Sequence, residues 1–194
     1  MVWTAFISTV KIRPETESFE LDVGAGLVEV MTSDFPALAE YSRLLWRAAY
    51  EPHLFSSDVS ELLWARSYSR PALAAAYARG EKTFWVMLDG NRAGFMAYRL
   101  ESACRRMRLS KIYLHPDYWG RGLGGWVLES VTNAALDAGA QCIDLYVFRR
   151  NTRAIQAYLR AGFRVVREEL TDLGGGVVYD DFIMAKEIES QTAV

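Results

Sequence analysis

The chain has 194 residues, of which 51% are hydrophobic and 24% charged, a composition typical of one folded domain with a complete hydrophobic core. Its net charge of −2 lacks the basic surplus of nucleic-acid-binding domains, no apolar run approaches the roughly 18 residues needed to span a bilayer, and two cysteines are too few for a disulfide framework. We therefore expect a cytoplasmic protein with no nucleic-acid partner and no membrane partner.

The N-terminal part of the chain predicts one strand and three helices. Residues 1–26 show no clear pattern and are interpreted as an N-terminal extension, followed by a single domain over residues 27–194. Apolar and polar residues alternate from Leu27 to Met31, which is typical of a strand. Capping residues and prolines then indicate three helix starts, and the predicted helices cover residues 32–50, a stretch from 57, and residues 69–80.

The rest of the chain predicts a mixed sheet. Apolar runs bounded by turn residues indicate strands at 83–88, 93–100, 105–115, 141–148, 163–169 and 177–188. The first three form an antiparallel meander, whereas a crossover helix over 122–138 should deliver the fourth parallel to the third. A further helix is predicted over 152–161. The fold class is therefore α/β, a mostly antiparallel twisted sheet with helices on both faces.

A glycine-dense turn precedes the crossover helix. Its residues are Gly120, Arg121, Gly122, Leu123, Gly124 and Gly125. Without Cβ atoms the backbone N–H groups can face a ligand, and at a helix N-terminus they favour a phosphate or pyrophosphate. A tight turn with no ligand is the alternative. No Gly-Lys-Ser/Thr is present and the spacing is not Gly-x-Gly-x-x-Gly, which excludes a P-loop and a dinucleotide-binding turn.

The last predicted helix carries Asn151, Ala154 and Tyr158 on one face. Asn151 and Tyr158 are two helical turns apart, about 10.5 Å along the axis, and the small Ala154 between them leaves room for an extended ligand. Taken singly, an asparagine at a helix start is usually a cap, and an inward tyrosine usually packs in the core. Both interpretations stay open at this point.

Together these residues resemble the GNAT superfamily of acetyl-CoA-dependent N-acetyltransferases. The family pattern Asn-x-x-Ala-x-x-x-Tyr-x-x-x-Gly-Phe is present in full and ends at Gly162 and Phe163. The preceding pattern, Gln/Arg-x-x-Gly-x-Gly/Ala, is matched at Gly122 and Gly124, but Trp119 stands where glutamine or arginine is usual. The resemblance implies a central parallel strand pair that splays apart, acetyl-CoA as co-substrate, and no metal.

The resemblance also implies roles for individual residues. The acetyl-CoA-binding residues would be Ile112, Tyr113, Leu114, Gly120, Arg121, Gly122, Leu123, Gly124, Gly125, Asn151, Ala154 and Tyr158. Strand backbone at 112–114 would bind the pantetheine arm, and an amide near Leu114 would polarise the thioester carbonyl. The amides of the glycine turn would hold the pyrophosphate. Tyr158 would be the catalytic residue, a general acid for the departing thiolate.

The general base is not assigned by the sequence. Many relatives carry a glutamate where this chain has Lys111. An amine arrives protonated at neutral pH, so a group must remove a proton, and the candidates are Glu51, His115 and a water chain. Glu51, between the first two helices, would also bind the substrate by attracting a cationic amine, although a solvated loop carboxylate is the simpler interpretation. His115 precedes a proline at a strand end, which favours a structural role.

The acceptor is suggested by the end of the chain. Residues 180–186 resemble the end of the PaiA-like spermine/spermidine acetyltransferases. We therefore expect an enzyme that acetylates a primary amine, in particular a small amine such as a polyamine. Transfer to a protein N-terminus or a lysine side chain is the first alternative. A non-catalytic acyl-CoA-binding module, motivated by Lys111, is the second. A monomer and a homodimer are both compatible with the sequence.

Overall fold

The computed structural model describes residues 24–50, 56–172 and 178–188. Seven strands form one sheet: Ala25–Glu29 (β1), Lys82–Leu88 (β2), Asn91–Glu101 (β3), Arg106–Leu114 (β4), Cys142–Phe148 (β5), Arg164–Asp172 (β6) and Val178–Glu187 (β7). The α-helices within the described residues are Phe35–Tyr50 (α1), Ser57–Tyr68 (α2), Arg70–Ala78 (α3), Leu123–Asp137 (α4) and Thr152–Arg160 (α5). None of these helices is both long and apolar enough to cross a membrane.

The strand order in the sheet is β1-β2-β3-β4-β5-β7-β6. Strands β2, β3 and β4 pair antiparallel in sequence, as the meander prediction required. The α4 crossover then places β5 parallel to β4, and β7 closes antiparallel on β5 with β6 at the outer edge. The predicted fold class, a mostly antiparallel α/β sheet with one parallel pair, is confirmed.

The parallel pair separates along its length. Paired positions join β4 and β5 only from Arg106 and Cys142 to Arg108 and Asp144, although β4 continues to Leu114 and β5 to Phe148. At the end of the paired part, the Arg108 guanidinium contacts both carboxylate oxygens of buried Asp144, at 2.5 and 2.8 Å. Beyond this clamp, which we define by Arg108 and Asp144, the two strands diverge and leave a gap in the middle of the sheet.

Helices cover both faces of the sheet. Alternation along β2 and β3 sends Trp85 and Phe95 to one face, and Val86 and Met96 to the other. The first pair belongs to the α1–α3 core, a cluster with buried residues from α1, α2 and α3. The second pair belongs to the α4–α5 core, formed with buried residues from α4 and α5. The gap therefore lies between two separately packed cores.

Element boundaries differ from the predictions by a few residues. Strand β1 begins at Ala25, two residues earlier than predicted and inside the segment assigned to the N-terminal extension. Helix α1 begins at Phe35 because a short 3-10 turn comes first, closed by the Met31 N–H donating to Asp34 Oδ2 at 3.0 Å. Gly162 has φ of +87° just after α5, as expected for a left-handed helix end. The predicted turn over residues 172–176 lies largely outside the described residues.

Candidate active site

The glycine turn opens helix α4 with unobstructed backbone. Gly120 and Gly122 have φ of +76° and +79°, which bends the chain into the helix. The first-turn N–H groups of Leu123, Gly124 and Gly125 have no acceptor within the helix, because each lacks a carbonyl four residues before it in helical geometry. A Cβ placed at Gly120 or Gly125 would meet nothing within 4 Å. The turn therefore presents open amides at the positive end of a helix dipole and fits a diphosphate.

Trp119 fastens this turn to the end of β4. Its indole N–H donates to the Leu114 carbonyl at 2.8 Å. The Arg153 guanidinium, from the start of α5, stacks over the Trp119 ring at 3.6 Å. Where glutamine or arginine is usual, Trp119 anchors the turn to β4, and the guanidinium of Arg153 stacked on it lies close to the turn. Arg153 was not singled out from the sequence, since its stacking depends on two segments 34 residues apart.

The end of β4 forms one wall of the gap. The His115 N–H donates to the Ala93 carbonyl on β3 at 2.8 Å, so by alternation the backbone groups of Leu114 and Ile112 point away from β3 towards the gap. The Leu114 carbonyl is already bonded to the Trp119 indole, which leaves its N–H as the group directed at a ligand. The Tyr113 side chain faces the α1–α3 core instead, stacked on Phe95 with ring centroids 5.3 Å apart.

Asn151 has the capping role that was one of its two interpretations. Its side-chain oxygen accepts from the Ala154 N–H at 3.2 Å and so satisfies a free donor at the start of α5. Ala154 itself is partly buried against the α4–α5 core. The cap fixes the direction of α5, which in turn aims the side chain two turns later.

Tyr158 is buried on the inner face of α5. Its ring packs beside Phe163 with centroids 5.7 Å apart and belongs to the α4–α5 core. Burial raises the pKa of the Tyr158 phenol well above its ordinary value, and the nearby Tyr50 phenol raises the pKa further. Tyr50 packs against the opposite, α1–α3 core. The phenols of Tyr158 and Tyr50 thus belong to the cores on opposite faces of the sheet and interact electrostatically with each other.

A group of tyrosines occupies the α1–α3 side of the gap. The hydroxyls of Tyr50 and Tyr113 lie 3.4 Å apart. The ring of Tyr68 meets the ring of Tyr113 edge-on, with centroids 5.8 Å apart, and their phenols are hydrogen-bonded. Burial raises the pKa of all three phenols, so they stay protonated at neutral pH.

Asp181 is an acidic group on the α1–α3 side of the gap for which the sequence analysis proposed no role. It lies on β7, opposite Phe148 of β5 and Glu169 of β6. Partial burial, followed by the negative charges of Asp180 and Glu169, raises the pKa of the Asp181 carboxyl to about 6. Its charge also acts on the Tyr50 phenol. The Asp-Asp pair at 180–181 was noticed in the sequence only as a family likeness, and burial and register give it a chemical meaning.

Of the two side chains named from the sequence as base candidates, the structure describes only His115. Glu51 lies outside the described residues, so its substrate-binding role remains a prediction. The His115 ring nitrogen Nδ1 accepts from the Asp117 N–H at 3.3 Å, which is the structural, capping interpretation. Lys111 is buried and forms an ion pair with Glu81. No cluster of three or more metal-ligating side chains occurs in the described part of the chain.

A splayed strand pair, an open helix N-terminus and a buried phenol are the features that the resemblance implies for an acetyl-CoA-dependent transferase. Residues 38–163 match the model of the Acetyltransferase (GNAT) family. The spermidine N(1)-acetyltransferase of Thermoplasma acidophilum is 26% identical over 162 residues, covering 81% of this chain and 93% of that protein.

Solved structures show the same fold. PaiA N-acetyltransferase from Thermoplasma acidophilum, in complex with coenzyme A, has a TM-score of 0.69 at 24% identity and covers 84% of this chain and 99% of that one. The ribosomal-protein-S18-alanine N-acetyltransferase from Escherichia coli has a TM-score of 0.62 at 20% identity, covering 88% and 99%. The chain therefore belongs to the GNAT family of acetyltransferases. It is an N-acetyltransferase with acetyl-CoA as its co-substrate, and the expected enzyme class is confirmed.

Proposed function

We propose that the enzyme acetylates a primary amine of a small polycation such as a polyamine. The observation that carries this acceptor class is the half-buried Asp181 carboxylate on the open side of the gap, with Glu169 directly across from it on β6. Because Glu169 is itself ion-paired with Arg167, Asp181 is the carboxylate proposed to attract an ammonium group and to discriminate against neutral or anionic acceptors. The similarity to a spermidine acetyltransferase over most of both chains supports the same choice.

We infer which groups of the chain would bind the pyrophosphate, the pantetheine arm and the thioester of acetyl-CoA. The amides of Leu123, Gly124 and Gly125 would hold the pyrophosphate, with Arg121 and Arg153 near enough to the turn to add positive charge. Backbone groups of Ile112 and Leu114 would align the pantetheine arm along the gap. Acetyl-CoA supplies an activated acetyl thioester, and the Leu114 N–H would polarise its carbonyl.

Tyr158 would protonate the departing thiolate. The raised pKa keeps its phenol protonated at neutral pH, so a proton is available where the sulfur leaves. Its rigid packing beside Phe163 holds the hydroxyl in one direction. No conformational search is then needed at the moment of transfer.

The Tyr158→Phe variant tests this role. Removing the hydroxyl keeps the ring in the core, so we expect the fold and coenzyme A affinity to be retained. The single-turnover rate of acetyl transfer should fall by about 100-fold, the lower end for general acid catalysis, because a thiolate is a good leaving group. A rate equal to that of the unmodified enzyme would show that Tyr158 is not the acid.

The acceptor class is tested by thiol release with acetyl-CoA against a panel of amines and peptides. We expect turnover with spermidine and related polyamines, and much weaker turnover with neutral monoamines and with peptides. Acetylation of peptides alone, at a terminal amine or a lysine, would contradict the polyamine proposal and favour a protein acceptor.

A further inference from the structure

We propose that the phenols of Tyr50, Tyr113 and Tyr68 relay the proton of the incoming ammonium from the gap to a solvent-open cavity beside Glu81. The inference rests on the proposed function, because it assumes an amine acceptor that arrives protonated. It answers what the sequence left open, namely how the nitrogen loses its proton in a chain with lysine at 111.

The first link of the relay lies at the gap. Tyr50 is the last residue of α1, and its phenol influences the pKa values of Tyr158 and Tyr179 and is itself influenced by Asp181. Its phenol therefore interacts electrostatically with both the proposed acid and the proposed ammonium-binding carboxylate, and its ring lies 6.3 Å, centroid to centroid, from that of Tyr113. Its hydroxyl oxygen lies 3.4 Å from that of Tyr113.

The second link leads away from the gap beneath α2. Tyr113 is held between the rings of Phe95 and Tyr68, stacked on the first and edge-on to the second. The hydroxyl of Tyr113 is hydrogen-bonded to that of Tyr68, which is only 3% exposed. The aromatic packing therefore holds the three phenols next to one another, with Tyr113 between Tyr50 and Tyr68.

The row ends at a polar cavity. The cavity has a volume of about 250 Å³, and its lining includes Tyr68, Glu81 and Lys111. Glu81 forms an ion pair with Lys111 and accepts a hydrogen bond from the Ser110 hydroxyl at 2.6 Å, and its charge acts on the Tyr68 phenol. The rim residues Arg66 and Arg79 are exposed, so the cavity opens to solvent and has room for several waters.

Hydroxyl groups suit such a transfer because each one can accept and donate a proton at once. As an N–H bond of the ammonium breaks, Tyr50 gains that proton and passes its own to Tyr113. Tyr113 passes a proton to Tyr68, and Tyr68 releases one to the cavity, where Glu81 or water accepts it. The amine becomes neutral, each phenol keeps one proton, and no phenolate accumulates, in agreement with the raised pKa values of these groups.

The variants Tyr113→Phe and Tyr68→Phe interrupt the row at its centre while keeping the rings that pack. Tyr41→Phe is the matched control, since the Tyr41 hydroxyl donates to the Arg92 carbonyl at 2.9 Å, outside the row. Single-turnover acetylation of spermidine would be measured from neutral pH up to about pH 9.5, close to the ordinary amine pKa of about 10.4. Thermal unfolding of each variant confirms that it folds.

We expect both row variants to lose about 100-fold in rate at neutral pH, the lower end for acid–base catalysis. The loss should shrink steadily as pH rises, because a growing fraction of the amine then arrives without its extra proton. The solvent deuterium isotope effect of the unmodified enzyme should also be lost. The control should follow the unmodified enzyme throughout.

A loss that is the same at every pH would show that the hydroxyls only support the structure, and no loss would show that the proton leaves elsewhere; either result overturns the relay. If the unmodified enzyme acetylates peptides but not spermidine, the proposed acceptor fails by itself. The same pH comparison on the peptide amine then decides the relay independently.

Discussion

At the scale of single residues, Gly125 of the glycine turn is subject to two opposing demands, the stability of helix α4 and space for the proposed ligand. Glycine weakens a helix start, yet Gly125 occupies the third position of α4 with open space where a Cβ would be. A larger residue would therefore favour the fold there. We infer that the space is kept for the ligand, because it is next to the amides proposed to hold the diphosphate.

The variants Gly125→Glu and Gly125→Gln separate these demands. Both should raise the free energy of unfolding by about 0.5–1 kcal/mol through better helix propensity. Only the glutamate places a negative charge beside the diphosphate, so its coenzyme A dissociation constant should rise at least about tenfold over that of Gln. Calorimetric titration with coenzyme A measures the difference. Equal affinities in the two variants would place the diphosphate elsewhere.

Asp181 carries the pH dependence of the site. Its carboxyl pKa is raised from 3.8 to about 6. Above pH 6 the partly buried carboxylate is charged, and this charge lowers the free energy of unfolding. Asp181→Asn should therefore be more stable than the unmodified enzyme by about 1 kcal/mol near neutral pH, a value reduced for partial exposure. The gain should disappear as pH falls from 6 to 3.8. Denaturant unfolding at several pH values measures it.

The same substitution should impair the acceptor site. The KM for spermidine should rise by about tenfold, because one charge-assisted contact to an ammonium is lost. In the unmodified enzyme kcat/KM should fall as pH drops through about 6, and the variant should lack this step. Asp137→Asn, at the exposed end of α4, is the control and should change neither property. A pH step that persists in Asp181→Asn would assign it to another group.

At the scale of elements, strand β4 is the wall of the gap along which we propose that the pantetheine arm lies. One side of it binds β3, and its far end faces the gap. Gly94 on β3 makes the close contact possible, since a Cβ there would lie 2.1 Å from the Tyr113 carbonyl oxygen and 2.8 Å from Leu114 Cδ2. The strand end is thus held by a glycine on one side and by the Trp119 indole on the other.

Gly94→Ala should push β4 away from β3 at the residues that line the gap. The shift that relieves the clash between the new Cβ and the β4 backbone should lower the free energy of unfolding by about 1–3 kcal/mol. It should lower the rate of acetyl transfer at the same time. Gly26→Ala on β1 is the matched control, because a Cβ there meets nothing within 4 Å. Thermal unfolding and thiol release compare the two. A Gly94→Ala enzyme with normal stability would mean that β4 is not tightly constrained at this point.

At the scale of the whole molecule, the gap lies between two cores packed on opposite faces of the sheet. The α4–α5 core holds the glycine turn and Tyr158, whereas the α1–α3 core holds Tyr50 and the tyrosine row. The Arg108–Asp144 clamp closes one end of the parallel pair and leaves the other end open. The proposed ligand in the gap would replace the missing strand contacts and link the two cores.

Coenzyme A should accordingly stabilise the whole fold. At roughly 100 times its dissociation constant, it should add about 2.7 kcal/mol to the free energy of unfolding. For a chain of this size each kcal/mol raises the unfolding temperature by about 2–4 °C. Differential scanning calorimetry should show one transition that moves upward as a unit. Two transitions, of which only one moves, would show that the cores unfold independently.

The sequence by itself determined the order of strands and helices, the crossover that makes β5 parallel to β4, and the glycine turn at a helix start. These features follow from local periodicity, turn chemistry and handedness, which neighbouring residues in the chain largely decide. The motif from Asn151 to Phe163 also identified the family, because its spacing is fixed within one helix and the turn that follows.

Only the tertiary structure decided which groups face the gap. The contacts concerned join segments that are separate along the chain or lie on different strands. They are Trp119 with Leu114, Arg153 with Trp119, the tyrosine row, and Asp181 with Glu169. Such contacts depend on strand register and on burial, which also shifts the pKa of Asp181. Neither register nor burial is encoded by the spacing of residues within a single segment, and so these parts of the site could not be deduced from sequence alone.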